Sequence, residues 1–173
     1  MNKNLRLWLF CISFPAAIAI DQITKGIAKV HLQGKETFSY LYDTIRLVYV
    51  ENTGAFLSLG SGWSDQLSFV VFILLPLLFL TLLSGYLIKN RNGMNLFVYM
   101  SMIFIAAGGF GNLIDRVLYH RHVTDFLNFG IGNVRTGILN FADMYVTTGV
   151  ILLIIFYMKD SKRAKKTQQQ EIN

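Results

Sequence analysis

The sequence predicts a mainly α, polytopic membrane protein: four transmembrane helices, with a small extracytoplasmic β-sheet and loop region between the first and second. Three observations carry that prediction. Only 15% of the 173 residues are charged, against roughly 25% in a soluble domain. Apolar residues make up 53% of the chain, and the mean hydropathy is +0.45. These residues are gathered into long runs, which suits a bilayer better than a large soluble core. A single membrane domain, residues 1–160, accounts for the runs, and 161–173 form a basic tail whose Lys/Gln-rich composition predicts disorder.

The runs are Leu7–Ala28, Leu67–Ile88, Leu96–Arg116 and Phe141–Met158. At ~1.5 Å per residue the first three reach ~31–33 Å, enough for the ~30 Å hydrocarbon core. The fourth is shorter. Lys3, Arg6 and Ala17-Ile18-Ala19 give the first run some likeness to a cleavable signal peptide. Its apolar pattern continues through Ile20, Ile23, Ile27 and Ala28, so a retained helix is predicted. Cys11 lies within this run as a small apolar residue, and one cysteine excludes an internal disulfide.

Orientation follows from Lys and Arg. Nine of the sixteen fall in the N-terminal tail (Lys3, Arg6), the link between runs two and three (Lys89, Arg91) and the C-terminal tail. Both termini are therefore predicted to be cytoplasmic, with residues 29–66 and 117–140 outside. The basic tail directly after an apolar run reads as a membrane-surface anchor. No basic stripe with interleaved aromatics occurs, so nucleic acid is excluded as a partner. In the first outer region Thr44-Ile45-Arg46-Leu47-Val48-Tyr49-Val50 is β-branched and aromatic, which predicts the sheet. Asn90-Arg91-Asn92-Gly93 predicts a tight turn.

This topology places polar groups from three helices at one depth. Asp21 and Lys25 lie in the outer part of the first run. Asn112, Asp115 and Arg116 end the third, and Asn140 and Asp143 begin the fourth. Ionisable groups inside a span are costly unless paired or hydrated, and mark function by default. Asp21 and Lys25, four apart, share a helix face and could neutralise each other. Asp115 and Arg116 are adjacent, point to different sides, and each need a partner elsewhere. Asp143, three residues after Asn140, could be a helix-capping acid, or an anion favoured by the helix dipole and a neighbouring amide. Asp125, in Val123-Thr124-Asp125-Phe126, lies in an apolar setting before the fourth run, and folding of its loop could bring it to Asp143.

Two carboxylates held close share one proton, and supply the base and the acid that peptide hydrolysis requires. Metal binding by His120-Arg121-His122 with Asp125 has weaker support, and no HExxH is present. Gly108-Gly109-Phe110-Gly111, inside an apolar helix, reads as close helix packing. Two other functions compete: a small proton-coupled transporter, which needs acids near mid-membrane, and a non-catalytic scaffold, which would tolerate loss of either aspartate.

Five segments in order, Asp21-Gln22-Ile23-Thr24-Lys25, Glu51-Asn52-Thr53-Gly54-Ala55-Phe56, Gly108 to Arg116, Val123-Thr124-Asp125-Phe126 and Asn140-Phe141-Ala142-Asp143, resemble lipoprotein signal peptidase (signal peptidase II), the membrane aspartyl peptidase family of bacteria. The resemblance implies a catalytic pair at Asp125 and Asp143. It implies that Asp21, Lys25, Asn52, Gly54, Asn112, Arg116 and Asn140 shape or line the site, with Asp115 in a supporting role. It implies a diacylglyceryl-modified prolipoprotein as substrate, cut before the lipidated cysteine, in the bacterial cytoplasmic membrane among membrane lipids. It further implies sensitivity to globomycin-type inhibitors, and neither metal nor organic cofactor. The sheet and residues 52–58 are then expected to clamp the substrate above the aspartates.

Overall fold

The structure, a computed structural model, describes residues 3–54 and 62–172, with side chains for 4–54 and 62–159. Ala55 and Phe56, with the part of the expected clamp that follows Gly54, lie outside the described residues.

Four helices dominate: α1 (Lys3–Leu32), α2 (Asp65–Asn90), α3 (Leu96–Leu118) and α4 (Phe141–Ile172). Each holds a stretch long and apolar enough to cross a membrane, and in α4 that stretch is Phe141–Lys159. The caps are local: Ser64 Oγ accepts from the Leu67 amide and Asn95 Oδ1 from the Phe97 amide. Within α2, Val70–Leu74 form a π-helical turn just before Pro76. A proline there cannot donate to the carbonyl four residues back, and its ring presses on it, so the wider turn relieves the crowding. Residues 91–94 make the tight link to α3. Where the composition of the tail predicts disorder, α4 continues to Ile172. The Lys, Gln and Ala there are good helix formers that extend a helix already nucleated.

Helix α3 is the central one, with 44% of its most apolar window buried against 11–17% in the others. Its glycines are the reason. A Cβ on Gly108 would lie 2.3 Å from the Ala142 carbonyl oxygen of α4, one on Gly109 2.5 Å from Leu80 Cδ2 of α2, and one on Gly111 2.6 Å from Asp21 Oδ2 of α1. Three neighbours thus reach α3 through three missing side chains, as small residues permit in a bilayer. At the end away from the sheet, Leu87, Tyr99, Ile103 and Ala106 form a closed apolar cluster against Phe10 and Phe14. There the Tyr99 hydroxyl donates to the Arg6 carbonyl (3.1 Å), and Arg6 Nη1 donates to the Arg91 carbonyl.

The sheet differs from expectation in one respect: it draws on both inter-helix regions, not the first alone. Its strands β1 (Phe38–Tyr40), β2 (Ile45–Asn52), β3 (Val123–Ile131) and β4 (Val134–Arg135) are antiparallel in that order. Val123-Thr124-Asp125-Phe126 is the first half of β3, buried on both faces and therefore without the polar–apolar alternation of a half-exposed strand. Val50 pairs with Asp125 and Asn52 with Val123, after a bulge between Leu47 and Val50. Leu139 exchanges hydrogen bonds with Leu127 (2.7 and 2.8 Å) and accepts from the Phe126 amide (2.9 Å). That bridge ties the start of α4 to β3, beside Asp125.

Candidate active site

The site is built on the first turn of α4. Asn140 is its N-cap: Asn140 Oδ1 accepts from the Asp143 amide (2.9 Å), and Asp143 Oδ2 accepts from the Asn140 amide (3.1 Å). This is a reciprocal capping box, with Asp in the place of the usual Glu or Gln. The capping reading of Asp143 is thus realised, and its other oxygen remains turned toward α3, where Oδ1 accepts from Asn112 Nδ2 (2.8 Å).

Asn140 Nδ2 reaches the other way and donates to Asp125 Oδ1 (2.6 Å); Asn52 Nδ2 of β2 donates to Asp125 Oδ2 (3.1 Å). One asparagine therefore joins Asp125 to Asp143, through its side chain to the first and its backbone and side chain to the second. Burial pushes the Asp125 carboxyl up to about 6, and the nearby Asp143 charge adds to the rise. The hydrogen bonds from Asn52 and Asn140 and the charge of Lys25 act in the opposite sense.

Behind this pair lies a second acid cluster. Lys25 Nζ sits 2.8 Å from Asp21 Oδ2 and 3.0 Å from Asp115 Oδ2, all three side chains buried. Its third donor goes to Asn112 Oδ1 (3.0 Å), which also accepts from Asn140 Nδ2 (3.1 Å). With its oxygen held by two donors, the Asn112 amide must present its nitrogen to Asp143. The triad carries one excess negative charge, and backbone donors meet it: Ala142 N–H donates to Asp21 Oδ1 (2.8 Å) and Thr124 N–H to Asp115 Oδ2 (3.2 Å). Asp21 thereby fixes the start of α4, and Asp115 fixes β3 one residue before Asp125.

Arg116 turns away from Asp115. Its Nη2 donates to the Gly54 carbonyl (3.0 Å), its Nη1 to the Asn112 carbonyl (3.3 Å), and its guanidinium lies 5.9 Å from the Phe72 ring centroid. The Gly54 amide donates to Asn52 Oδ1 (3.0 Å), so one turn links Arg116 to the asparagine that holds Asp125. All ten residues singled out from the sequence thus lie in one connected network. Sequence reasoning left out Gln22, whose Nε2 donates to Asp21 (3.1 Å), the Gly111 carbonyl (3.1 Å) and Asp115 (2.9 Å). A carboxamide inside an apolar span was the available signal. Phe72 was also left out, and nothing in the sequence separates it from other lipid-span aromatics. Among the described residues no group of three His, Cys, Asp or Glu is placed to hold a metal ion. His122 Nδ1 instead lies beside the Tyr119 and His120 carbonyls.

Four spanning helices that gather aspartates and asparagines beneath a surface sheet define a polytopic membrane protein with a partly buried acid pair. Its sequence matches the family described as Signal peptidase (SPase) II over residues 14–159, and the chain belongs to that family. It is accordingly an enzyme, an aspartic peptidase, and a multi-pass inner-membrane protein. It is 34% identical over 161 residues to the lipoprotein signal peptidase of Borrelia duttonii, covering 90% of this chain and 92% of that one. Its identity to the Borreliella burgdorferi (strain ZS7) counterpart is 35% over 160 residues, covering 90% and 91%. A solved bacterial membrane enzyme, determined by the in meso method at 2.3 Å resolution, superposes with a TM-score of 0.75 at 28% identity, over 93% of this chain and 92% of that one.

Proposed function

We propose that the protein removes signal peptides from diacylglyceryl-modified prolipoproteins, cutting before the lipidated cysteine, with Asp125 and Asp143 as the catalytic pair. The observation that carries this reading is the Asn140 link, which joins two carboxylates from different elements, Asp125 buried and Asp143 partly so. In the working state the pair shares one proton, and the proton belongs to the pair. The ionised carboxylate takes a proton from water as it attacks the scissile carbonyl carbon. The protonated one donates its proton to the carbonyl oxygen. As the C–N bond breaks, the carboxyl that took the water proton gives it to the leaving amine, and the first carboxyl recovers its proton from the gem-diol hydroxyl as the carbonyl re-forms. Asn112, Asn140 and Asn52 hold the carboxylates in register, and Arg116 stands by to receive a substrate carbonyl near Gly54.

The family membership and prolipoprotein processing by its relatives support the substrate class. Nine of the sixteen Lys and Arg residues belong to the tails and link away from the sheet, which supports cytoplasmic termini and an acid pair near the outer face. There a lipid-anchored precursor would present its cut site, and a globomycin-type cyclic peptide would compete with it. The transporter reading loses its support because the apolar cluster around Leu87, Tyr99, Ile103 and Ala106 leaves no polar route across the described bundle.

The test uses purified protein and a diacylated prolipoprotein, with Asp125→Asn and Asp143→Asn beside the wild type. Loss of cleavage in both folded variants is expected. Full cleavage by either one refutes the dyad, and cleavage of the non-acylated precursor at an equal rate refutes the lipid requirement.

A further inference from the structure

Beneath the sheet, on the flank of α1, lies a cavity of about 410 Å³. Its apolar walls are Ile27, Ala28 and Leu32 of α1, Phe38 of β1, Leu47 of β2 and Phe126 of β3, and Thr24, His31 and Tyr40 add its few polar groups. The volume is that of a small-molecule site, and the lining is that of a hydrocarbon.

Two observations fix the occupant. Ile27 is 54% exposed and continues the exposed stripe Ile20 and Ile23, so the cavity opens on the lipid-facing side of α1. Next to it, Leu41, Tyr42 and Asp43 all take left-handed backbone conformations (φ 51, 54 and 66), and this turn leaves Leu41 68% exposed and Tyr42 fully so. Non-glycine residues accept such a conformation only when the surroundings impose it. Apolar and aromatic side chains held out beside a spanning helix belong at a membrane interface. The β1–β2 hairpin thus rests on the bilayer, and an acyl chain is the apolar group available at this depth.

We infer that this cavity binds one acyl chain of a membrane glycerophospholipid from the leaflet on the sheet side, wedged between α1 and the β1–β2 hairpin. The chain is a membrane lipid's and not the substrate's, because successive residues of a strand face opposite ways. Asp125 reaches Asn140 and Asn52 on one face of β3, whereas Phe126 packs on Ala28 and Leu32 on the other. The lipid supports Phe126 from behind and so keeps β3 at its working distance from α4.

The probe is a phosphatidylglycerol with a photoactivatable diazirine in its acyl chain, in nanodiscs of phosphatidylethanolamine and phosphatidylglycerol, with the full chain carrying Asp143→Asn so that turnover plays no part. Labelling at Leu47 and Phe126, and one phospholipid retained in native mass spectra after detergent exchange, are expected. Thr24→Trp, which fills the cavity from its wall, should reduce that labelling at least fivefold while labelling of Ile151 and Ile154 stays unchanged; Leu47→Trp serves if the first variant does not fold. Absence of label at both residues, or label indifferent to the filling variant, overturns the inference. So does label found only when the diazirine is carried on a diacylglyceryl peptide.

Discussion

Two acid clusters lie side by side in this bundle and are treated in opposite ways. Asp21 and Asp115 share Lys25 at 2.8 and 3.0 Å, and both also accept backbone amides from the elements they anchor. Asp125 and Asp143 have no cation in contact among the described residues and are held by asparagine amides, which orient a carboxylate without discharging it. The first arrangement lowers the cost of burying charge and spends it on position. The second leaves a carboxyl whose proton affinity is raised, the condition acid–base chemistry near neutral pH needs. The difference separates a framework from the pair proposed to react, although all four side chains are aspartates.

The comparison is broken most severely at its reactive half. Asp125→Asn and Asp143→Asn should each lower kcat by about 10³-fold, the range of one general acid or base. Asp143→Asn keeps an oxygen for the Asn140 amide, so its helical content and unfolding temperature should stay near wild type. In the framework half, Lys25→Met leaves two buried carboxylates without their cation and should cost about 3–5 kcal/mol of stability. Reversible unfolding in mixed micelles measures this, and an unchanged midpoint would remove the triad from the structural account.

Protonation sharpens the contrast. Because the folded-state value of Asp125 is raised to about 6 from 3.8, the folded protein binds this proton more tightly than the unfolded chain. The contribution is fully present below 3.8 and is lost as pH rises through about 6, amounting to roughly 3 kcal/mol for this group. Asp125→Asn should flatten the stability profile in that window. In the wild type, kcat/KM should fall above it as the pair gives up its shared proton. Gly108→Ala, whose Cβ would stand 2.3 Å from the Ala142 carbonyl, should cost about 1–3 kcal/mol and lower kcat more than it raises KM, since it displaces the turn bearing Asp143. Smallest of all, Arg121→Ala breaks the exposed pair with Asp65 (2.7 Å) and should change stability by less than about 1 kcal/mol with activity intact.

Much of the fold was legible because a bilayer simplifies the code. Span lengths and the Lys/Arg distribution are read by counting, and the four apolar spans begin and end within a few residues of the predicted runs. Gly108, Gly109 and Gly111 were legible as packing positions because an apolar helix has little other use for such a cluster. β3 was not legible as a strand: buried on both faces, it has no alternation, and its partner β2 lies about 75 residues away in the chain. The helical tail was misread because composition alone does not register the helix on which it is seeded.

By itself, then, the sequence determined the membrane class, the number of spans and the gathering of seven polar residues from three helix ends, since hydrophobic length and charge asymmetry are properties of composition along a line. The five segments also pointed to the family. What only the tertiary structure decided is which aspartate answers to which partner. Asp115 meets Lys25 because Gly111 lets α1 approach α3, and Asp125 meets Asn140 because Leu139 is stitched to Leu127. Those contacts depend on close approach between segments far apart in the chain, which no local spacing encodes.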